Sequence, residues 1–200
     1  MTIEEKNKIE FDFLEKYPSD ILTSWDTSHY DLPKIIKDNN YKIGVEIGVA
    51  YGGHSESILM NSDVEKLYGI DPYKNYKDYE GDTQNFEQKK LDDIHDMVVG
   101  RLSYYNNRFE LIRDYSDNCI DKFVDDSLDF VYIDGNHFED YVRRDVFSWW
   151  PKVRVGGILS GHDYDHPAFP YVTTCVNQFF SELGIEVINL GNHNWCVYKK

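Results

Sequence analysis

Residues 42–54 read Lys42-Ile43-Gly44-Val45-Glu46-Ile47-Gly48-Val49-Ala50-Tyr51-Gly52-Gly53-His54, a short apolar run that breaks into glycines. Val and Ile favour a strand buried on both faces, and glycines after it let the backbone turn tightly and approach a ligand that a Cβ would exclude. The spacing is E-x-G-x-x-x-G, whereas the dinucleotide fingerprint needs G-x-G-x-x-G, and Glu46 stands where its first Gly belongs. A pyrophosphate would meet a carboxylate there. A cationic ligand would gain from it, and Asp71, 25 positions on, ends the next strand-like run, where a carboxylate can take ribose hydroxyls.

Outward from this stretch, short β-rich runs alternate with helical patterns, the signature of a mostly parallel sheet covered on both faces. Strands are expected at 42–47, 66–70, 108–112, 128–133, 155–160, 185–189 and 194–198. The last two, joined by Leu190-Gly191-Asn192-His193, are expected to pair antiparallel. Val142, Val146, Trp149 and Trp150 recur at helical spacing and predict a helix over 139–150 with the Trp pair in the core. Val172, Val176, Phe179 and Leu183 predict another over 169–182, stopped by Gly184. Ser116, ahead of Ile120, Phe123 and Val124, reads as the N-cap of a third, short helix. The stretch 74–102 is polar and Tyr-rich, then helical from about Asn85, and its position suits a cover over a bound ligand. The expected organisation is one domain over 1–200, with 1–40 a helical N-terminal extension and 41–200 the core.

Acidic residues outnumber basic ones by 36 to 21, for a net charge of −15. Such a field repels phosphate backbones and anionic lipid, so nucleic acid and membrane partners are disfavoured. Cys119, Cys175 and Cys196 show no metal or disulfide spacing, and no run approaches the ~18 apolar residues of a membrane span. A reducing, cytoplasmic setting is expected, with homo-oligomer formation left open.

Acid near a sulfonium and acid on a ribose together fit S-adenosylmethionine. The residues resemble the class I S-adenosylmethionine-dependent methyltransferases, and VYIDGNHFEDYVRRDVFSWWPKVRVGGILSGHDY (131–164) resembles their small-molecule O-methyltransferase branch, which includes catechol, macrolide and sugar O-methyltransferases. The resemblance covers about residues 40–200. It implies a Rossmann-like, doubly wound α/β sheet in order 3-2-1-4-5-7-6 with the last strand antiparallel. It also implies Glu46, Gly48 and Gly52 under the amino acid part of the cofactor, Asp71 on its ribose, and Ser116, in Asp114-Tyr115-Ser116, beside the adenine, with His54 a further cofactor-binding residue.

Asp134 ends the fourth expected strand and His162-Asp163 end the fifth, which brings all three to one sheet edge. In metal-dependent members of the family this is the metal site, so a divalent ion, Mg or Mn, is expected on Asp134, His162 and Asp163, with Asp134 also close to the cofactor. The resemblance puts a usual oxygen ligand where His162 stands, and imidazole suits manganese, iron or zinc better than magnesium. His162 alone reads equally as a second proton acceptor or a structural histidine. His137, three residues after Asp134, occupies the place of a basic residue in the catechol-type enzymes and is expected to act as general base, with Asp134 as the other catalytic group.

The expected acceptor is a small hydroxyl compound. A sugar or glycoconjugate comes first, because the branch that the chain resembles often acts on them and because tyrosines at 73, 76, 79, 164 and 171 could stack on a sugar face, and a phenol second. Two rivals stand beside this reading: a nucleotide-dependent, sugar-modifying oxidoreductase on the same fold, and a non-catalytic module that binds the cofactor.

Overall fold

A computed structural model describes residues 1–19, 31–75 and 86–200. Seven strands form one sheet: β1 (Ile43–Ile47), β2 (Lys66–Ile70), β3 (Phe109–Ile112), β4 (Leu128–Ile133), β5 (Val153–Gly161), β6 (Ile188–Gly191) and β7 (Asn194–Tyr198). Their order is β3-β2-β1-β4-β5-β7-β6, parallel except for β7, which runs antiparallel to both β5 and β6. The helices are α1 (Ile3–Lys16), α2 (Asp31–Asp38), α3 (Gly53–Asn61), α4 (Gln88–Leu102), α5 (Ser116–Cys119), α6 (Glu139–Trp149) and α7 (Pro170–Glu182). Among the described residues no helix is long and apolar enough to cross a membrane.

The alternation of side chains along each strand divides the core. Val131 and Ile133 point into a cluster with Val146 and Trp149 of α6 and Val176 and Phe180 of α7. Phe130 and Tyr132 point the other way, against Leu32 and Ile36 of α2 and Ile58 of α3. A third cluster joins Phe13 of α1 to Leu91, Ile94 and Val98 of α4 and to Val49 and Tyr51 after β1. With one face against each helix layer the central strands read as continuous apolar runs, which is why they are visible in the sequence.

Register does the rest. Ile47 pairs with Ile70 and with Ile133, and Ile133 with Gly161, so the central strands end level. The ladder continues one residue past each end: Gly48 N donates to Ile70 O, Asp134 N to Ile47 O and His162 N to Ile133 O. Gly48, Asp71, Asp134 and His162 therefore stand along one carboxyl edge, at the point where the strand order reverses beside β1.

Several expectations shift. β6 starts three residues later and ends two later than expected, at Ile188–Gly191, because its residues are mostly exposed and carry no burial pattern. Ser116 is not an N-cap: Tyr115 holds that place with no side-chain capping bond, and Ser116 is the first helical residue. The buried face of α7 is Val172, Cys175, Val176 and Phe180, while Leu183 lies outside, 49% exposed. Gly184 does adopt the left-handed conformation (φ +68°), and both Trp149 and Trp150 are buried.

Candidate functional site

The loop after β1 turns through Gly48 (φ +87°), Ala50 (φ +45°) and Gly52 (φ +77°). Each glycine is there for a close approach. A Cβ on Gly48 would lie 1.9 Å from the Asp134 carbonyl oxygen, so the ends of β1 and β4 touch through backbone alone. A Cβ on Gly52 would press on Val98, Arg101 and Leu102 of α4 at 3.2 Å. The buried Arg101 guanidinium donates to Tyr51 O at 2.8 Å and lies 3.6 Å from Glu10 of α1 and 3.8 Å from Glu56 of α3. The loop is thus tied from behind by α4 and, through Arg101, to the N-terminal helix.

Asp71, buried after β2, fastens the loop from the other side. Its Oδ2 accepts from Val49 N and Ala50 N at 3.1 and 3.0 Å, and Oδ1 accepts from Tyr73 N at 2.8 Å. Burial raises its carboxyl above the ordinary value against these three N–H donors. Tyr73 is buried as well, its hydroxyl donating to Ala50 O.

Glu46 is sealed beneath the loop, 1% exposed. Its Oε1 lies 2.8 Å from His54 Nδ1, and Ser55 Oγ donates to its Oε2. Burial pushes the Glu46 carboxyl up to about 8 and the His54 imidazole down to about 3, so both are uncharged near neutrality.

A cavity of about 280 Å³ opens between the ends of β1, β2 and β4 and the start of α5, lined in part by Gly48, Asp71, Pro72, Tyr115, Ser116 and Asn136. Of the residues expected to bind the cofactor, Gly48, Asp71 and Ser116 line this cavity; Glu46, Gly52, His54 and Asp134 do not. One lining residue that the sequence reading missed is Asp145 of α6, 5% exposed, whose Oδ1 accepts from Ser116 Oγ. Burial pushes its carboxyl up to about 7. A signal existed: Asp145 lies at helical spacing from Val142 and Trp149, on the buried stripe, where an acid without a purpose is costly.

Next to the cavity, ligand atoms of Asp134, His162 and Asp163 lie within 4.8 Å of one another. Gly135 and Asn136 border both this cluster and the cavity. Asp163 holds its place with a left-handed backbone (φ +59°), a strained conformation for a non-glycine residue. His137 Nε2 sits 2.6 Å from Asp163 Oδ2 and 3.7 Å from Asp134 Oδ1, and His162 Nδ1 is 3.3 Å from Asp163 Oδ1. Burial works against a charged imidazole, but the two carboxylates outweigh it and hold His137 up at about 11. His162 is raised by the same contest, and against burial the two imidazoles hold Asp163 well below the usual carboxylate range. The ring of Phe169 stacks on His137 with centroids 4.2 Å apart.

Of the tyrosines expected to stack on an acceptor, Tyr73 and Tyr164 are buried with their hydroxyls bonded, Tyr171 is exposed, and Tyr76 and Tyr79 lie outside the described residues.

Residues 45–164 match a family model described as a methyltransferase domain. An uncharacterised protein of Acanthamoeba polyphaga mimivirus is 26% identical over 144 residues; the match covers 70% of this chain but only 59% of that relative's length. Among solved structures, an O-methyltransferase from Bacillus cereus in complex with SAH superposes with a TM-score of 0.66 at 12% identity, covering 100% of this chain and 92% of that one. TomG, an O-methyltransferase from Streptomyces achromogenes involved in tomaymycin synthesis and solved with SAM, gives 0.64 at 13% identity, with 100% and 92% covered. At these identities the likeness is one of fold.

Proposed function

Because the chain belongs to the methyltransferase domain family, we propose that it transfers the methyl group of S-adenosylmethionine to a hydroxyl of a small acceptor. The observation that carries this reading is adjacency. A cavity walled by Gly48, Asp71 and Ser116 shares Gly135 and Asn136 with a cluster of two carboxylates and two imidazoles, so a cofactor in one would face an acceptor at the other. In this reading Glu46 and His54 act from beneath the loop, as an uncharged support for the segment that meets the amino acid part, together with Gly52. Gly48 and Asp71 border the ribose, Ser116 the adenine side, and Asp134 stands where the cavity meets the cluster.

Asp134, His162 and Asp163 suit a divalent ion, since two carboxylates and one imidazole converge on one side and a strained backbone presents Asp163. The mixed oxygen and nitrogen set favours manganese over magnesium. When bound, the ion would supply Lewis-acid activation of the acceptor hydroxyl and a positive charge that weakens the carboxylates' hold on the His137 proton. His137 is the proton-handling group: Asp163 fixes Nε2, and Phe169 fixes the ring plane. The acceptor is sugar-like or phenolic, and Tyr171, in the first turn of α7, is an exposed ring that could stack on it. No observation favours the oxidoreductase or scaffold readings.

Calorimetric titration with S-adenosylmethionine, S-adenosylhomocysteine and NAD tests the cofactor. Saturable binding of the first two and not of NAD is expected. Binding of NAD alone, or of none, would sink the reading. An acceptor screen with and without EDTA and added manganese then tests the reaction.

A further inference from the structure

Ser116 was the expected contact to the adenine, but its hydroxyl proton is committed to Asp145 Oδ1. The other oxygen, Oδ2, has no hydrogen-bond partner among the described residues. It faces the cavity wall at Gly135, where an added Cβ would stand 3.7 Å away. Asp145 is nearly sealed from solvent, and both it and Gly135 line the cavity. The nearby Arg144 guanidinium acts on it only at a distance, favouring the ionised carboxyl, while its Nη1 donates to Asp117 Oδ2 at 2.7 Å. An open oxygen on a buried carboxyl that lines a ligand cavity suits a hydrogen-bond donor from the ligand.

We propose that Asp145 reads the purine of the cofactor, its Oδ2 accepting a hydrogen bond from the exocyclic amine, while Ser116 positions the carboxyl rather than touching the base. This rests on the cofactor reading above and adds to it the residue that selects the base. A donor suits the site: burial pushes the free carboxyl up to about 7, and an amine hydrogen bond to Oδ2 favours its ionised form without bringing in an opposing ion. The geometry also implies what happens when the acceptor is replaced by a donor. In Asp145→Asn the amide oxygen can keep the Ser116 bond, which turns the amide nitrogen toward the base. A site that has lost its acceptor and gained a donor should prefer a carbonyl at the same position of the purine.

The test is calorimetry with S-adenosylhomocysteine and its deaminated analogue, S-inosylhomocysteine, in which a carbonyl replaces the amine. The wild type should bind the adenosyl compound roughly 10- to 100-fold more tightly, the range expected for a hydrogen bond to a charged group. Asp145→Asn should erase or invert that preference, and Ser116→Ala, which keeps Oδ2, should retain it within about threefold. Equal binding of both compounds by the wild type overturns the inference and leaves the cofactor reading standing. So does an Asp145→Asn protein that loses the same factor for both, which would reduce Asp145 to a brace for the loop. Binding of neither compound by the wild type overturns the cofactor reading and the inference together.

Discussion

Two carboxylate–imidazole pairs lie near the same sheet edge at nearly the same distance, 2.8 Å for Glu46 and His54 and 2.6 Å for His137 and Asp163, yet they settle their protons in opposite ways. In the first, burial dominates: the carboxyl rises to about 8, the imidazole falls to about 3, and the pair is neutral. In the second, the imidazole is held at about 11 and Asp163 stays ionised. Distance does not distinguish them. What does is the state of the nearest carboxyl: His54 lies against Glu46, which burial itself neutralises, so that Asp134 is the carboxylate drawing its proton, whereas His137 has Asp163 at 2.6 Å and Asp134 at 3.7 Å. Desolvation wins where the contacting carboxyl is itself neutral, and loses where two carboxylates lie against the imidazole. The sealed pair braces a loop, while the open one keeps a charge available for chemistry.

Removing one carboxylate from the open cluster is the sharpest way to break this contrast. Asp134→Asn should lower methyl transfer by roughly 1000-fold, the scale of losing a charge-stabilising and orienting group, while the dissociation constant for S-adenosylhomocysteine moves by less than about threefold. A fully active variant would end the metal-assisted reading. Stripping divalent ions with EDTA should cut turnover by roughly 100-fold and manganese should restore it, with the fold unchanged by circular dichroism.

The sealed pair predicts an effect on stability. Glu46 ionises near 4.5 when unfolded and at about 8 when folded, so its contribution is full at low pH and is lost as pH rises through that interval. Against Glu46→Gln, which does not titrate, the wild type should lose stability between about pH 5 and pH 8, by on the order of 3 kcal/mol, in denaturant melts. A parallel pH profile for the two proteins would show that Glu46 is charged and that the contrast is false. The smallest effect belongs to Ser116→Ala, which should weaken S-adenosylhomocysteine binding by only about threefold in the same calorimetry.

Much of this was legible in the sequence because two-sided burial leaves a strong trace. Ile43–Ile47 and Leu128–Ile133 are apolar runs because helices cover both faces, and the residues just past them fall on one edge because parallel strands end level. β6 was misplaced because an exposed edge strand carries neither alternation nor burial. The site was legible by position and less so by role. Glu46 and Asp71 stand where the spacing put them, but their carboxylates are occupied by His54, Ser55 and loop amides, and partners contributed by other strands and helices leave no local spacing to read. Asp145 and Arg101 show the opposite limit. Each is a charge on an otherwise apolar helical stripe, and a stripe reading that treats such a residue as a solvated interruption passes over it.

Gly48 and the Asp134 carbonyl share a space with no room for a methyl group. Inheritance at the two loops is therefore linked. In a randomised library under selection, substitutions at 48 should survive only beside changes in the turn at 134–136, and second-site suppressors of a lesion at 48 should map to that turn, close to 90 residues away in the gene yet adjacent in the fold.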